Sequence, residues 1–377
     1  MLTGRYWPCH PKPRPDEVLS SWILRTAFGN GLRPSTFCQL AFGNPRLLAT
    51  DIDRSGGGSV LSTMAARTAT PPAAAASTAL ASMEGVLVES WFAAGRTRWV
   101  LNSGTRHRLR RVAGMQYCPR CLEADDAPYF RRAWRLALFA ACPTHGVVLL
   151  DRCPDCRKPL MAERADELAR CGACHADLRR AEAAPADFGA TVLHRRNQTV
   201  LARGWATLGE YEFQRSHLYF DLLYQVLRLL FTGRRADRLR AVAARRWGGD
   251  DPGAPFPRGR ELEALGPAER HRLFSLAARL LEGWPYRFVG ACGEAGVTEA
   301  YATVDVDPLP FAFADPVRRH LCAAAYVPSI GEVQAAARYL RNRGVAPSGR
   351  RLRLLVGDTV LIRSVVPTGR RLPVSSP

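Results

Sequence analysis

Eight metal-type residues fall into four evenly built pairs: Cys118-x-x-Cys121, Cys142-x-x-His145, Cys153-x-x-Cys156 and Cys171-x-x-Cys174. Each pair reads as a knuckle, a tight turn that aims two side chains at one point. Two knuckles complete a tetrahedral zinc site, with four cysteines or three cysteines and a histidine as ligands. Chance seldom spaces cysteines this regularly, so the pattern constrains the fold strongly.

Twenty residues separate Cys121 from Cys142, seven separate His145 from Cys153, and fourteen separate Cys156 from Cys171. Sequential pairing gives a first zinc site of Cys118, Cys121, Cys142 and His145 and a second of Cys153, Cys156, Cys171 and Cys174. A cross-braced RING arrangement keeps its second and third knuckles closer together, so the spacing favours two tandem zinc ribbons and disfavours a ubiquitin ligase. Catalytic zinc keeps one position open for water, and both sites here are filled by protein donors. No H-E-x-x-H or H-x-E…P-C-x-x-C pattern is present. Two structural Zn2+ ions are expected, each supplying on the order of 10 kcal/mol or more of local folding energy. Cys171-Gly-Ala-Cys174-His175 also fits the C-x-x-C-H haem pattern. Haem attachment would leave Cys153 and Cys156 without partners, so His175 is read as an exposed residue after the knuckle or, at most, a ligand competing with Cys174.

The formal charge is +19, from 53 basic and 34 acidic residues. Such a balance points to nucleic acid or acidic protein surfaces as partners. Lys12 and Lys158 are the only lysines, and neither sits in G-x-x-x-x-G-K-[ST], which argues against a P-loop NTPase. Seven of the eleven cysteines are assigned as ligands, leaving Cys9, Cys38, Cys292 and Cys322 scattered, as expected in a reducing cytoplasm. The sequence has no signal-peptide pattern and no long uncharged apolar stretch, so no membrane contact is expected. A cytoplasmic, nucleoid-associated location follows.

The pattern along the chain predicts a mainly α fold with a small β content. Residues 1–111 read as an N-terminal helical domain. Asp16 can cap a helix whose apolar positions Val18, Leu19, Trp22, Ile23 and Ala27 follow the 3.6 period, closed at Asn30-Gly31. A short helix opens at Pro34. Helices over 60–68 and 72–83 form a candidate helix-turn-helix, and 85–101 reads as strands. The basic run that follows offers Arg106, Arg108, Arg110 and Arg111 to a phosphate backbone. Residues 112–182 hold the tandem zinc-ribbon module. Residues 183–366 read as a helical C-terminal domain, with helices over 216–231, 234–247 and 267–283 and a linker over 248–260. It ends in a second helix-turn-helix, with helices over 330–340 and 348–356 and a wing strand over 359–366. Arg338, Arg341, Arg343, Arg350, Arg351 and Arg353 are its candidate nucleic-acid contacts. Residues 367–377 are expected to be a disordered tail.

The runs Tyr117-Cys-Pro-Arg-Cys-Leu, Tyr129-Phe-Arg-Arg-Ala-Trp134, Cys142-Pro-Thr-His-Gly146 and Leu149-Leu-Asp-Arg-Cys-Pro-Asp-Cys156 resemble the TniQ family, the target-selection proteins of heteromeric bacterial transposons. Pro15-Asp-Glu-Val-Leu-Ser-Ser-Trp-Ile-Leu-Arg25, with Asn30-Gly31, is similar to that family's opening motif. The resemblance covers roughly residues 7–182 and departs at His175, where the family usually shows glycine. It implies an N-terminal helix-turn-helix domain, two zinc ribbons and a helical C-terminal domain. It also implies a non-enzymatic adaptor that marks an insertion site and recruits an AAA+ ATPase, which brings the transposase. Some such proteins bind target DNA; others dock as homodimers on a CRISPR RNA-guided Cascade complex. Two rivals stand beside this reading. A stand-alone zinc-finger DNA-binding transcription regulator shares every feature except the ATPase. A nuclease or transposase needs clustered carboxylates for Mg2+, and Asp305 and Asp307 lack a third with convincing spacing, so no catalytic residue is assigned.

Overall fold

The computed structural model describes residues 4–92, 95–102, 104–106, 110–112, 114–161, 164–249, 256, 261–304, 309–322 and 328–356. The chain divides into two compact units, Met1–Leu321 and Cys322–Pro377. The described residues are mainly helical, with two small antiparallel hairpins, β1–β2 (Gly104–Arg106 and Arg110–Val112) and β3–β4 (Ala206–Leu208 and Tyr211–Phe213).

The first unit begins with α1 (Leu19–Gly29), α2 (Pro34–Phe42), α3 (Ile52–Ser55), α4 (Gly58–Arg67) and α5 (Pro72–Ala76). α1 is apolar on two sides. Leu19, Trp22 and Ile23 enter a small core with Trp7, Phe37 and Met64, while Val18 and Leu24 face the main core. Trp7 and Phe37 meet edge-to-face at 4.9 Å. Burying side chains of this size stabilises by roughly 1.5–3 kcal/mol each, which fixes α1 between two layers.

The Asp16 cap expected from sequence does not form. α1 starts at Leu19 behind Val18, without a side-chain cap. Asp16 instead takes a left-handed backbone (φ 58°) and its carboxylate accepts from Arg132 Nε at 3.1 Å and the Ala133 N–H at 3.3 Å. A long-range ion pair has outcompeted the local cap. The 72–83 helix is also broken. The Ser77 and Thr78 hydroxyls donate back to the Ala74 and Ala75 carbonyls, competing with helical bonding. A 3-10 turn, Leu80–Met83, follows. The strands expected over 85–101 are single bridges among the described residues, Glu84 with Val88 and Val100 with Leu136. Trp99 turns the chain there (φ 70°) and sets its ring edge-on to Tyr224 at 5.2 Å.

After α6 (Pro119–Ala124) come α7 (Phe188–Arg203), α8 (Ser216–Phe231), α9 (Ala236–Trp247), α10 (Pro267–Leu281), α11 (Tyr286–Ala295), α12 (Glu299–Thr303) and α13 (Phe311–Leu321). α8 and α10 are the centre: α10 packs on α7, α8, α9 and α11. α8 matches the expected 216–231 span and is buried nearly all round, and its polar positions are satisfied. Asp221 pairs with Arg98, and Arg228 donates to Gln225 Oε1 at 2.8 Å and the Ala302 carbonyl at 2.7 Å. Most of 248–260, and Asp305 and Asp307, lie outside the described residues.

In the second unit α14 (Ile330–Asn342) and α15 (Gly349–Val356) pack through Val333, Ala337, Leu340 and Leu352. Ser329 and Glu332 form a capping box at the start of α14. Gly344 supplies a positive φ of 71° in the turn. The expected wing over 359–366 and the tail lie outside the described residues.

Candidate metal centres

Local backbone geometry aims the eight donors. The last three pairs are knuckles of one design. Each is flanked by a single antiparallel bridge: Ala141 with Val148, Arg152 with Pro159, and Arg170 with Asp177. In each, the residue after the second donor takes a left-handed backbone: Gly146 (61°), Arg157 (59°) and His175 (61°). Glycine adopts this conformation freely, whereas an L side chain is strained by roughly 1–2 kcal/mol. That accounts for the glycine expected at position 175 and shows that histidine still makes the turn. The first pair departs from the expected knuckle. Cys118 is the N-cap of α6 and Cys121 lies in its first turn, because Pro119 pre-sets helical φ at the first position.

The donors gather in sequential order. Cys118, Cys121, Cys142 and His145 form one group and Cys153, Cys156, Cys171 and Cys174 the other, with the donor atoms of each group within 4.8 Å of one another. Cys121 Sγ lies 3.6 Å from Cys142 Sγ and 3.2 Å from His145 Nδ1, and Cys118 Sγ lies 3.6 Å from the same nitrogen. In the second group Cys153 and Cys174 approach to 3.5 Å, and Cys156 and Cys171 to 3.7 Å. A tetrahedron with zinc–sulfur arms of about 2.3 Å has edges of about 3.7 Å, so both donor sets fit a metal ion of this kind.

The two centres differ in surroundings. Cys118, Cys121 and Cys142 are buried in the main core beside Tyr117, Leu122 and Phe139. Hydrogen bonds from the Cys118 and Cys121 thiols pull the Cys142 thiol far down, and sharing a proton with Cys118 and Cys142 pushes Cys121 up. At the second centre Cys174 is exposed and Cys156 half-buried. The Lys158 N–H holds the Cys156 thiol down to about 7. His175 Nδ1 lies 3.5 Å from Asp166, outside the donor group.

One residue that positions the first centre was not legible in the sequence. Arg270, on α10, is fully buried and donates to Gln116 Oε1 at 2.9 Å and the Leu265 carbonyl at 3.1 Å. It clamps the segment entering Cys118 to the helical core. An arginine within a helix reads as a surface residue, so no pattern signalled it.

Among the candidate nucleic-acid contacts, Arg106 lies on β1 and Arg110 and Arg111 on β2, paired as Arg106 with Arg110 and Thr105 with Arg111. Arg108 lies outside the described residues. Arg338, Arg341, Arg343, Arg350, Arg351 and Arg353 are all exposed on α14, α15 or the turn between them. Glu332 is the one acidic residue from 328 to 356.

Among the described residues no helix is long and apolar enough to cross a membrane. No curated protein sequence matches the chain. Residues 8–149 match the family model described as TniQ, a span that contains the first donor group and ends before the second. Residues 8–149 therefore carry a TniQ domain, a domain associated with transposition.

Proposed function

We propose that this chain is a non-enzymatic adaptor for DNA transposition that selects or marks the target site and recruits an AAA+ ATPase and, through it, a transposase. The observation that carries the reading is the TniQ domain over residues 8–149. Two structural Zn2+ ions would be held by Cys118, Cys121, Cys142 and His145 and by Cys153, Cys156, Cys171 and Cys174, each with four protein donors and no position left for a reacting water. Their role is to fix the scaffold of residues 112–182 between an N-terminal helical domain, 1–111, and a helical C-terminal region, 183–366.

The target is read in one of two ways, by binding DNA or by docking on an RNA-guided Cascade complex. The net charge of +19 suits both. The exposed arginines of α14 and α15, with one carboxylate among them, favour a nucleic-acid contact there as in a helix-turn-helix. Arg106, Arg108, Arg110 and Arg111 are proposed to add backbone contacts. The test is duplex binding at two salt concentrations, with the zinc content of the same sample. Sequence-selective, salt-sensitive binding with about two zincs per chain, as two four-donor sites require, supports direct reading of the site. Weak, unselective binding with the same zinc assigns the reading to a docked complex.

A further inference from the structure

α7 ends at Arg203, and Gly204 (φ 77°) turns the chain into the β3–β4 hairpin. The Ser216 N–H donates to the Gly204 carbonyl at 2.9 Å, which brings Arg215, the residue before α8, beside that turn. Trp205 is 48% exposed and is the one exposed member of the eight tryptophans. Five of the others are buried and two half-buried. The Arg203 guanidinium lies over the Trp205 ring, 5.5 Å from its centroid. Among the described residues neither Arg203 nor Arg215 has a carboxylate within ion-pair distance, whereas Arg196 is held by the Thr207 carbonyl and the Tyr219 ring.

A groove of about 280 Å3 opens at the same corner, walled by Met83, Val86, Leu136 and Leu201 and carrying Ser82 and Gln198 as polar groups. The Ser216 hydroxyl donates to the Val86 carbonyl at 2.6 Å, tying the groove wall to the Arg203–Trp205 turn. An Asp16–Arg132 ion pair closes the other side. Exposed ring, unpaired cations and a groove of this size are the parts of a single-strand site: stacking on an aromatic face, phosphates on arginine, and room for a base.

We propose that this corner binds single-stranded nucleic acid, with one base stacked on Trp205, its neighbour in the groove against Ser82 and Gln198, and phosphates on Arg203 and Arg215. A duplex keeps its base faces stacked inside and offers none to Trp205. Glu212, opposite Thr207 on the exposed face of the hairpin, directs the phosphates to the arginine side. The site lies in the first unit and does not depend on α15 or on the adaptor reading.

The experiment uses the full chain with Arg350→Ala, Arg351→Ala and Arg353→Ala, so that α15 does not contribute. Anisotropy of a fluorescein-labelled oligothymidylate and oligouridylate is measured over a salt series. Trp205→Ala is expected to weaken binding at least about fivefold, the loss of one stacked base, while Trp205→Phe stays within about twofold. Arg203→Ala with Arg215→Ala is expected to lower the salt slope by about 1.4, two single-strand phosphate contacts. Thermal melts of each variant identify any loss of folding, and the phenylalanine and arginine variants keep the test readable if the alanine variant melts early. Single-strand binding that is absent in the parent, or unchanged in both Trp205→Ala and the arginine pair, overturns the proposal and assigns the corner to a protein partner.

Discussion

Cys121→Ala and Cys174→Ala should separate the two centres. Cys121 is buried, 3.6 Å from Cys142 Sγ and 3.2 Å from His145 Nδ1, and its neighbours belong to the main core. Structural zinc supplies about 10–16 kcal/mol, and a variant that releases the ion forfeits that contribution. In a unit this large, roughly 2 °C of melting temperature is lost per kcal/mol. Cys121→Ala is therefore expected to lower the main transition by roughly 20–30 °C and to reduce zinc from two to one per chain. Cys174 is exposed at the rim of the second group. Its alanine variant should also lose one zinc, but should shift the main transition by less, because only Cys153 and Cys171 of the second group lie in the main core, whereas Cys118, Cys121 and Cys142 of the first do. The assay is differential scanning calorimetry with chelator-released zinc measured on the same samples. Equal shifts in the two variants, or two zincs retained in either, would refute the reasoning.

Three further outcomes follow from the geometry. Gly146→Ala should cost about 1–2 kcal/mol in a denaturant titration, since φ is 61° and an added Cβ meets nothing within 4 Å, leaving backbone strain as the sole term; a much larger loss would mean a hidden clash. His194 is fully buried, and burial depresses its pKa from 6.5 to about 3, so the unfolded chain binds the extra proton between those values and stability falls as pH drops below 6.5. At pH 5.5 that amounts to about 1.4 kcal/mol, and His194→Gln should remove this dependence in melts that retain zinc; an unchanged pH slope in the variant contradicts it. Replacing Arg350, Arg351 and Arg353 by alanine should weaken duplex binding and lower its salt slope by about 2.7, the release from three phosphate contacts; a slope equal to the parent's removes α15 from the interface.

The donors were legible because spacing encodes them: a knuckle needs two ligands three positions apart, whatever the fold around it. The helices with one clear apolar period, such as α8 and α14, were legible for a similar reason. What failed were decisions made by distant residues. Asp16 looks like a helix cap until Arg132 claims it, and 85–101 looks like strand until Trp99 is drawn against Tyr224. The first donor pair looks like the other three, but Pro119 converts it into a helix start. Arg270 and Gln116, separated by more than a hundred residues, carry no pattern at all.

The most direct test of the adaptor account is capture of a transposon-encoded AAA+ ATPase by the zinc-replete chain, with and without target DNA, alongside an assay for divalent-dependent DNA cleavage. The account predicts a stable complex with the ATPase that is lost when zinc is chelated, and no cleavage. Cleavage by the chain alone, or zinc-replete protein that never retains the ATPase, contradicts it.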